Sequence, residues 1–237
     1  MSNGIYVATA GAVATSNALD ATANNIANAS TAGFHGDRVT FREALTAARS
    51  PDIASVGVGT TRIDSQAGAL TPTENPLDLA LDGDGYFAVT TPGGTRYTRA
   101  GNFQLDDARN LVTAEGFAVR GDGGAALNIP AEARTIAVAA DGTVSADGEE
   151  LGKLELVRFA PSQVQRQGGT LVAATGRPLA DDPPKVRSGM LEASNVNVVR
   201  GVVDLVKVSR TYDSLMRMIQ GYHDVESRAA RELGTPK

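Results

Sequence analysis

Cysteine and tryptophan are absent from this sequence, and histidine occurs only twice, at His35 and His223. Without a thiol there is no disulfide framework, no thiolate nucleophile and no cysteine metal site. Two histidines in unlike contexts leave little material for a histidine-held metal or a Ser-His-Asp triad. Aromatic residues make up 5% of the 237 residues, so a core has to be built from Ala, Val, Leu and Ile. The net charge is −5, and the basic stripes that nucleic acid requires are missing, so no nucleic-acid partner is expected. No run of about 20 apolar residues is present either, and membrane insertion is not expected. The least polar stretch, 1–34, is interrupted by Asn3, Asn17, Asn24, Asn25 and Asn28. It also lacks the basic start and dense apolar centre of a secretory signal, so export would have to proceed without a cleaved signal peptide.

What is present changes twice along the chain. In 1–34 the only charged side chain is Asp20, and Ile5, Ala12, Leu19 and Ile26 recur every seven residues. Ala8, Thr15 and Thr22 follow three positions behind, which predicts a helix with a narrow seam of small residues. Such a helix gains nothing from i,i+4 ion pairs and depends on packing. Asn28, Ser30 and Gly33 supply the stop. At the other end, Val198, Leu205, Tyr212 and Ile219 recur by seven, with Gly201, Val208, Leu215 and Tyr222 three further on. This predicts a second seamed helix, with Ser194 or Asn195 as its cap, Gly234 and Pro236 at its end, and Asp213–Arg217 and Asp224–Arg228 as supporting pairs.

Between the two, 26 glycines and frequent Asp-Gly and Pro-Gly turns separate short apolar runs. Leu77, Leu79 and Leu81 alternate with polar or small residues, Asp82-Gly83-Asp84-Gly85 reads as a hairpin turn, and Leu154–Phe159 reads as a strand. The expected fold class is α+β: a central all-β domain, barrel- or sandwich-like, flanked by terminal helices that pair as a coiled coil. The expected division is an N-terminal axial helix at 1–34, a linker at 35–76 with a short helix near Phe41–Ala48, the β domain at 77–188, and a C-terminal axial helix at 189–237.

Enzyme chemistry finds no foothold. Asp82-Gly83-Asp84-Gly85 lacks the rest of a calcium loop, and it leads into Tyr86 and Phe87. Asp106-Asp107 and Asp181-Asp182 sit where turn conformation alone favours Asp. No catalytic residue, metal ligand or cofactor site is assigned. Terminal helices with an apolar stripe pack either on their own domain or on another chain. Their position at both ends of a domain with its own alternating core, and the lack of charge on the first, favour assembly. The candidate assembly interface is Ile5, Ala12, Leu19, Ile26, Val198, Leu205, Val208, Tyr212, Leu215, Ile219 and Tyr222.

Four segments resemble bacterial flagellar rod and hook proteins, in order and across nearly the whole chain. The first runs from Asn24 to Phe34 and contains Asn25, Asn28 and Gly33; the second is Asn75–Phe87. The third, Arg96–Phe103, leads to the Thr113-Ala114-Glu115-Gly116 turn. The fourth is Gly189–Asn197, with Ser194, Asn195 and Val196. The resemblance implies a structural axial subunit of the flagellar basal body, whose terminal helices pair as a coiled coil along the rod. It implies as partners other rod subunits and the flagellar export apparatus, with no cofactor and no cleaved signal. Chain length and Ser194–Asn197 favour a proximal-rod member, a distal-rod member being the alternative. A reading from another class is a periplasmic glycan-binding or cell-wall-active β domain. Two positions depart from the family pattern: Arg200-Gly201 stands where relatives often carry an acidic residue and methionine, and His35 replaces a common basic residue.

Overall fold

The structure, a computed structural model, describes residues 2–45, 54–179 and 184–233. The chain divides into two compact units: residues 1–26, 37–62 and 197–237 form the first, and 27–36 with 63–196 the second.

The first unit contains helices α1 (Ser2–Ala27) and α2 (Val198–Leu233) and strands β1 (Asp37–Leu45) and β2 (Ala54–Ile63), which pair as a two-stranded sheet. Helix α1 holds together without charge. The hydroxyls of Thr9, Thr15 and Thr22 donate to the carbonyls of Ile5, Gly11 and Ala18 at 2.8, 2.7 and 2.7 Å, so these three are satisfied within the helix. Its buried face is wide and made of small residues, Ala8, Ala12, Ala14, Thr15, Ala18 and Ala21. Helix α2 is capped by Asn197, not by Ser194 or Asn195: the Asn197 Oδ1 accepts from Arg200 N at 3.0 Å. The Ser194 hydroxyl instead accepts from Val196 N, at 3.3 Å. The end expected at Gly234 and Pro236 lies outside the described residues. Among the described residues the ion pairs of α2 gather on Asp204, with Arg200 at 3.9 Å and Lys207 at 3.7 Å, and not on Asp213 or Asp224.

Residues 41–45 belong to β1 and not to a helix; 46–48 lie outside the described residues. Much of the expected linker is therefore strand. Its one sequence signal is a two-residue period, Val56 and Val58 alternating with Gly57 and Gly59.

The second unit is β-rich. Its strands are β3 (Leu70–Pro72), β4 (Leu79–Asp82), β5 (Tyr86–Thr91), β6 (Gly94–Thr98), β7 (Gln104–Leu105), β8 (Leu111–Val112) and β9 (Ala118–Val119). There follow β10 (Ile136–Val138), β11 (Thr143–Ala146), β12 (Glu149–Lys153), β13 (Leu156–Val157), β14 (Val164–Gly168) and β15 (Leu171–Ala174), then β16 (Lys185–Ser188) and β17 (Met190–Glu192). The largest sheet runs β14-β15-β6-β5-β9-β8-β7, with β13 also on β5. Among the described residues that path does not close, so the expected barrel is not formed. Smaller sheets are β10-β11-β12, β16-β4 and β17-β3.

Strand β4 pairs with β16, with Val186 opposite Leu81, so Asp82–Gly85 is a loop between two ladders and not a hairpin turn. Leu79, Ala80 and Leu81 are all buried, where alternation had predicted one wet face. The strand read at Leu154–Phe159 is only two residues long, because Leu154 instead makes an isolated bridge to Gly121. The main core joins Leu79, Phe87, Val89, Leu111, Val119 and Val186. Phe87 meets Phe103 edge to face, with ring centroids 5.1 Å apart. A satellite core holds Val157, Phe159, Val164 and Val172.

Candidate assembly helices and a buried clasp

Helices α1 and α2 meet at glycines. A methyl group on Gly4 would lie 2.6 Å from the Tyr222 hydroxyl, one on Gly11 3.5 Å from Leu215, and one on Gly201 2.9 Å from Ile26. The pairs 4 with 222, 11 with 215 and 26 with 201 run in opposite directions, so the helices are antiparallel neighbours. Tyr222, Leu215 and Ile26 therefore rest on bare backbone. Leu205, Val208, Tyr212 and Ile219 are half-buried on the same face of α2. On α1, Ala12 is buried and Ile5, Leu19 and Ile26 are half-buried, while Val198 at the start of α2 is exposed. Gly11 has room for a methyl but for little more. Gly11→Ala should leave helix content unchanged and Gly11→Phe should lower it, as read by far-ultraviolet circular dichroism.

The motif residues have distinct duties. In the first unit Asn25 and Asp37 exchange two hydrogen bonds: the Asn25 amide donates to Asp37 O at 2.8 Å and Asp37 N donates to Asn25 Oδ1 at 2.7 Å. Asn24 is exposed. In the second unit Asn28 O accepts from Thr31 N at 3.1 Å, turning the chain. Gly33 has φ +65°, and a Cβ there would overlap the Arg99–Ala100 peptide, so only glycine fits. Phe34 is fully buried beneath the Arg166 guanidinium, 4.5 Å from its ring centroid. Asn195 is a staple with four hydrogen bonds. Its Oδ1 accepts from Gly36 N at 2.8 Å, its amide donates to Gln66 O at 2.8 Å and Asp64 O at 3.3 Å, and its backbone N donates to Phe34 O at 3.3 Å. Val196 is half-buried beside it.

Next to Asn195 lies a buried charge cluster that the sequence reading did not single out. Glu192 is 1% exposed and Arg99 is 4% exposed, and they pair at 2.9 Å. The other Glu192 oxygen accepts from His35 Nε2 and from Gly68 N, each at 2.8 Å. His35 Nδ1 lies 2.9 Å from Asp64 O, so both ring nitrogens face oxygens. Arg99 also donates to Gly85 O, at 2.8 Å, and to Gly83 O. That is the service rendered by Asp82-Gly83-Asp84-Gly85: its carbonyls receive a guanidinium. Arg166 adds a bond to His35 O. The clasp ties together residues 33–36, 64–68 and 192–195, beside three of the points where the chain passes from one unit to the other. Its members are up to 157 residues apart, and the sequence signal was slight: Glu192 is the single charge of Gly189–Asn197, and Arg99 lies in Arg96–Phe103.

Burial pushes the Glu192 carboxyl up, but the His35 hydrogen bond, the Arg99 charge and the Gly68 N–H outweigh it and hold the group below its ordinary 4.5. A lowered pKa means that the stabilisation is fully present above the ordinary value and is lost as pH falls through the folded one. Denaturant titrations from pH 6 downward should show the second unit weakening below about pH 4.5, and Glu192→Gln should flatten that region of the curve.

Among the described residues no three His, Asp or Glu side chains gather as a metal site. No described helix is long and apolar enough to cross a membrane. A cleft beside the clasp, lined by Ser65, Asp84, Tyr86 and Phe159, holds about 80 Å³. Ligand pockets usually measure about 300–1,000 Å³, so a glycan finds no comparable site there.

Comparison with known proteins agrees across the chain. Residues 5–35 match the family described as flagella basal body rod protein. Residues 80–146 match the flagellar hook protein FlgE/F/G D1 domain, and 187–232 the flagellar basal body rod FlgEFG protein C-terminal region. The flagellar basal-body rod protein FlgF of Rhizobium meliloti is 32% identical over 238 residues, covering 99% of each chain. FlgF of Escherichia coli is 36% identical over 97% of each chain. The rod protein FlgG of Bacillus subtilis is 33% identical over 85% of this chain and 88% of its own.

Proposed function

The chain belongs to the flagellar basal-body rod protein family, and from that premise we propose that it is a rod subunit of the FlgF kind. It is a structural protein and not an enzyme, and its partners are other components of the rod. In this reading the terminal helices pair as a coiled coil and carry self-assembly, and the subunit passes torque from motor to hook. It reaches the basal body through the flagellar export apparatus without a cleaved signal and without inserting in a membrane. FlgG is the related member of the family; the FlgF relatives of Rhizobium meliloti and Escherichia coli are 32% and 36% identical over nearly the whole of both chains. The observation that carries the proposal is the rod-protein match at both helical ends, joined to the glycine-lined contact between α1 and α2. Deleting the gene should abolish swimming, and a peptide-tagged copy should restore it and co-purify with basal bodies. A tagged copy that restores swimming yet is missing from purified basal bodies would sink the proposal.

A further inference from the structure

With Leu215 and Tyr222 turned to α1 of the same chain, another surface must serve contacts between copies. On α2, Val199, Val202, Val203 and Val206 stand at i, i+3, i+4 and i+7, one face roughly opposite the seam. They are 77%, 46%, 48% and 46% exposed. On α1, Tyr6 and Val13 are 71% and 48% exposed, and Asp20 continues their seven-residue stripe as the helix's only charge. Contiguous exposed apolar faces of this kind mark interaction sites.

We propose that the valine face of α2 receives the Tyr6–Val13–Asp20 stripe of α1 from a second copy of this chain. Resting on the rod reading, this specifies which surface one subunit offers the next. Copies repeated head to tail along one axis all point the same way. An α1 therefore meets its neighbour's α2 in the same antiparallel sense as within one chain. Setting Val13 beside Val206 then brings Asp20 to Val199 and Arg200, and Tyr6 to Arg210 and Asp213. Apolar meets apolar along the centre, and the lone carboxylate of α1 meets the Arg200 side chain, which is 84% exposed and held only loosely, at 3.9 Å, by Asp204. Charge favours a second copy: α1 offers one negative charge, and beside the valine face Arg200, Lys207 and Arg210 outnumber Asp204 and Asp213.

The natural absence of cysteine makes the test clean. Full-length Val13→Cys and Val206→Cys, carrying different tags, are expressed together in the flagellated host, and its basal bodies are purified and oxidised. The expected product is a disulfide-linked dimer carrying both tags, absent when Leu205→Cys replaces Val206→Cys. No doubly tagged dimer, with both variants present in the basal body, overturns the face and leaves the rod reading standing. So does linkage of Val206→Cys to a different protein. Should the tagged cysteine-free chain itself be missing from basal bodies, both readings fall. Independently, Val202→Asp with Val206→Asp should keep the helix signal of the purified monomer yet cut incorporation at least tenfold; incorporation at the normal level overturns the proposal.

Discussion

Replacing Arg99 by Ala should cost the β-rich unit about 3–5 kcal/mol, the usual penalty for removing one partner of a buried ion pair. Among the described residues only the Arg99 side chain reaches Glu192, Gly83 and Gly85 together, and its loss strands the buried Gly85 carbonyl along with half of a carboxylate. The melting temperature should fall on the order of 10 °C. Arg99→Lys should fare little better, since a point charge cannot fork to three acceptors. Adding Glu192→Gln to Arg99→Ala should restore some of the loss, because the stranded charge disappears with it. Thermal melts of the three variants check this. A melting point for Arg99→Ala within about 2 °C of the parent would mean that water replaces the guanidinium and that the clasp is not what holds these segments.

The second large effect is expected at the helix seam. Leu215→Asp puts a carboxylate against the bare backbone of Gly11, with no cation of α1 to meet it, since Asp20 is the only charge in residues 1–34. The site is half-buried, so the local cost is about 1–3 kcal/mol, enough to separate helices joined by small contacts. Helix ellipticity should drop while the near-ultraviolet signal of the β-rich unit stays, and cells carrying the variant should not swim. Arg200→Ala leaves the seam intact, and any loss it causes should show in incorporation and not in the monomer's helix content. Loss of the near-ultraviolet signal in Leu215→Asp would mean that the helices belong to the same folding unit as the sheets.

Both helices were legible because a seven-residue spacing links four positions in each, and the half-buried Leu205, Tyr212 and Ile219 of α2 fall on it. The cap was misplaced by two or three residues because Ser194, Asn195 and Asn197 are all competent caps, and only the path of the chain chooses among them. Asn195 is already committed to Gly36 and Gln66. Short strands were countable from turn spacing, but pairing order decides closure, and pairing of β16 with β4 and of β17 with β3 is a contact across more than 100 residues. The β1–β2 pair was obscured by glycine at every second position of Val56–Gly59, which reads equally well as loop. The clasp was least legible of all. Glu192, Arg99 and His35 each look like ordinary polar residues in turn-rich motifs, and nothing local announces that they share one buried site.

The central claim is that the terminal helices close on each other through their seam and thereby place the chain in the rod. The most direct measurement is the amount of this chain in purified basal bodies, by quantitative mass spectrometry, from cells carrying Leu215→Asp in place of the parent. The variant should be synthesised, keep its β-rich unit folded and be missing from the basal bodies of non-swimming cells. Incorporation at the parental level, with normal swimming, would contradict the claim.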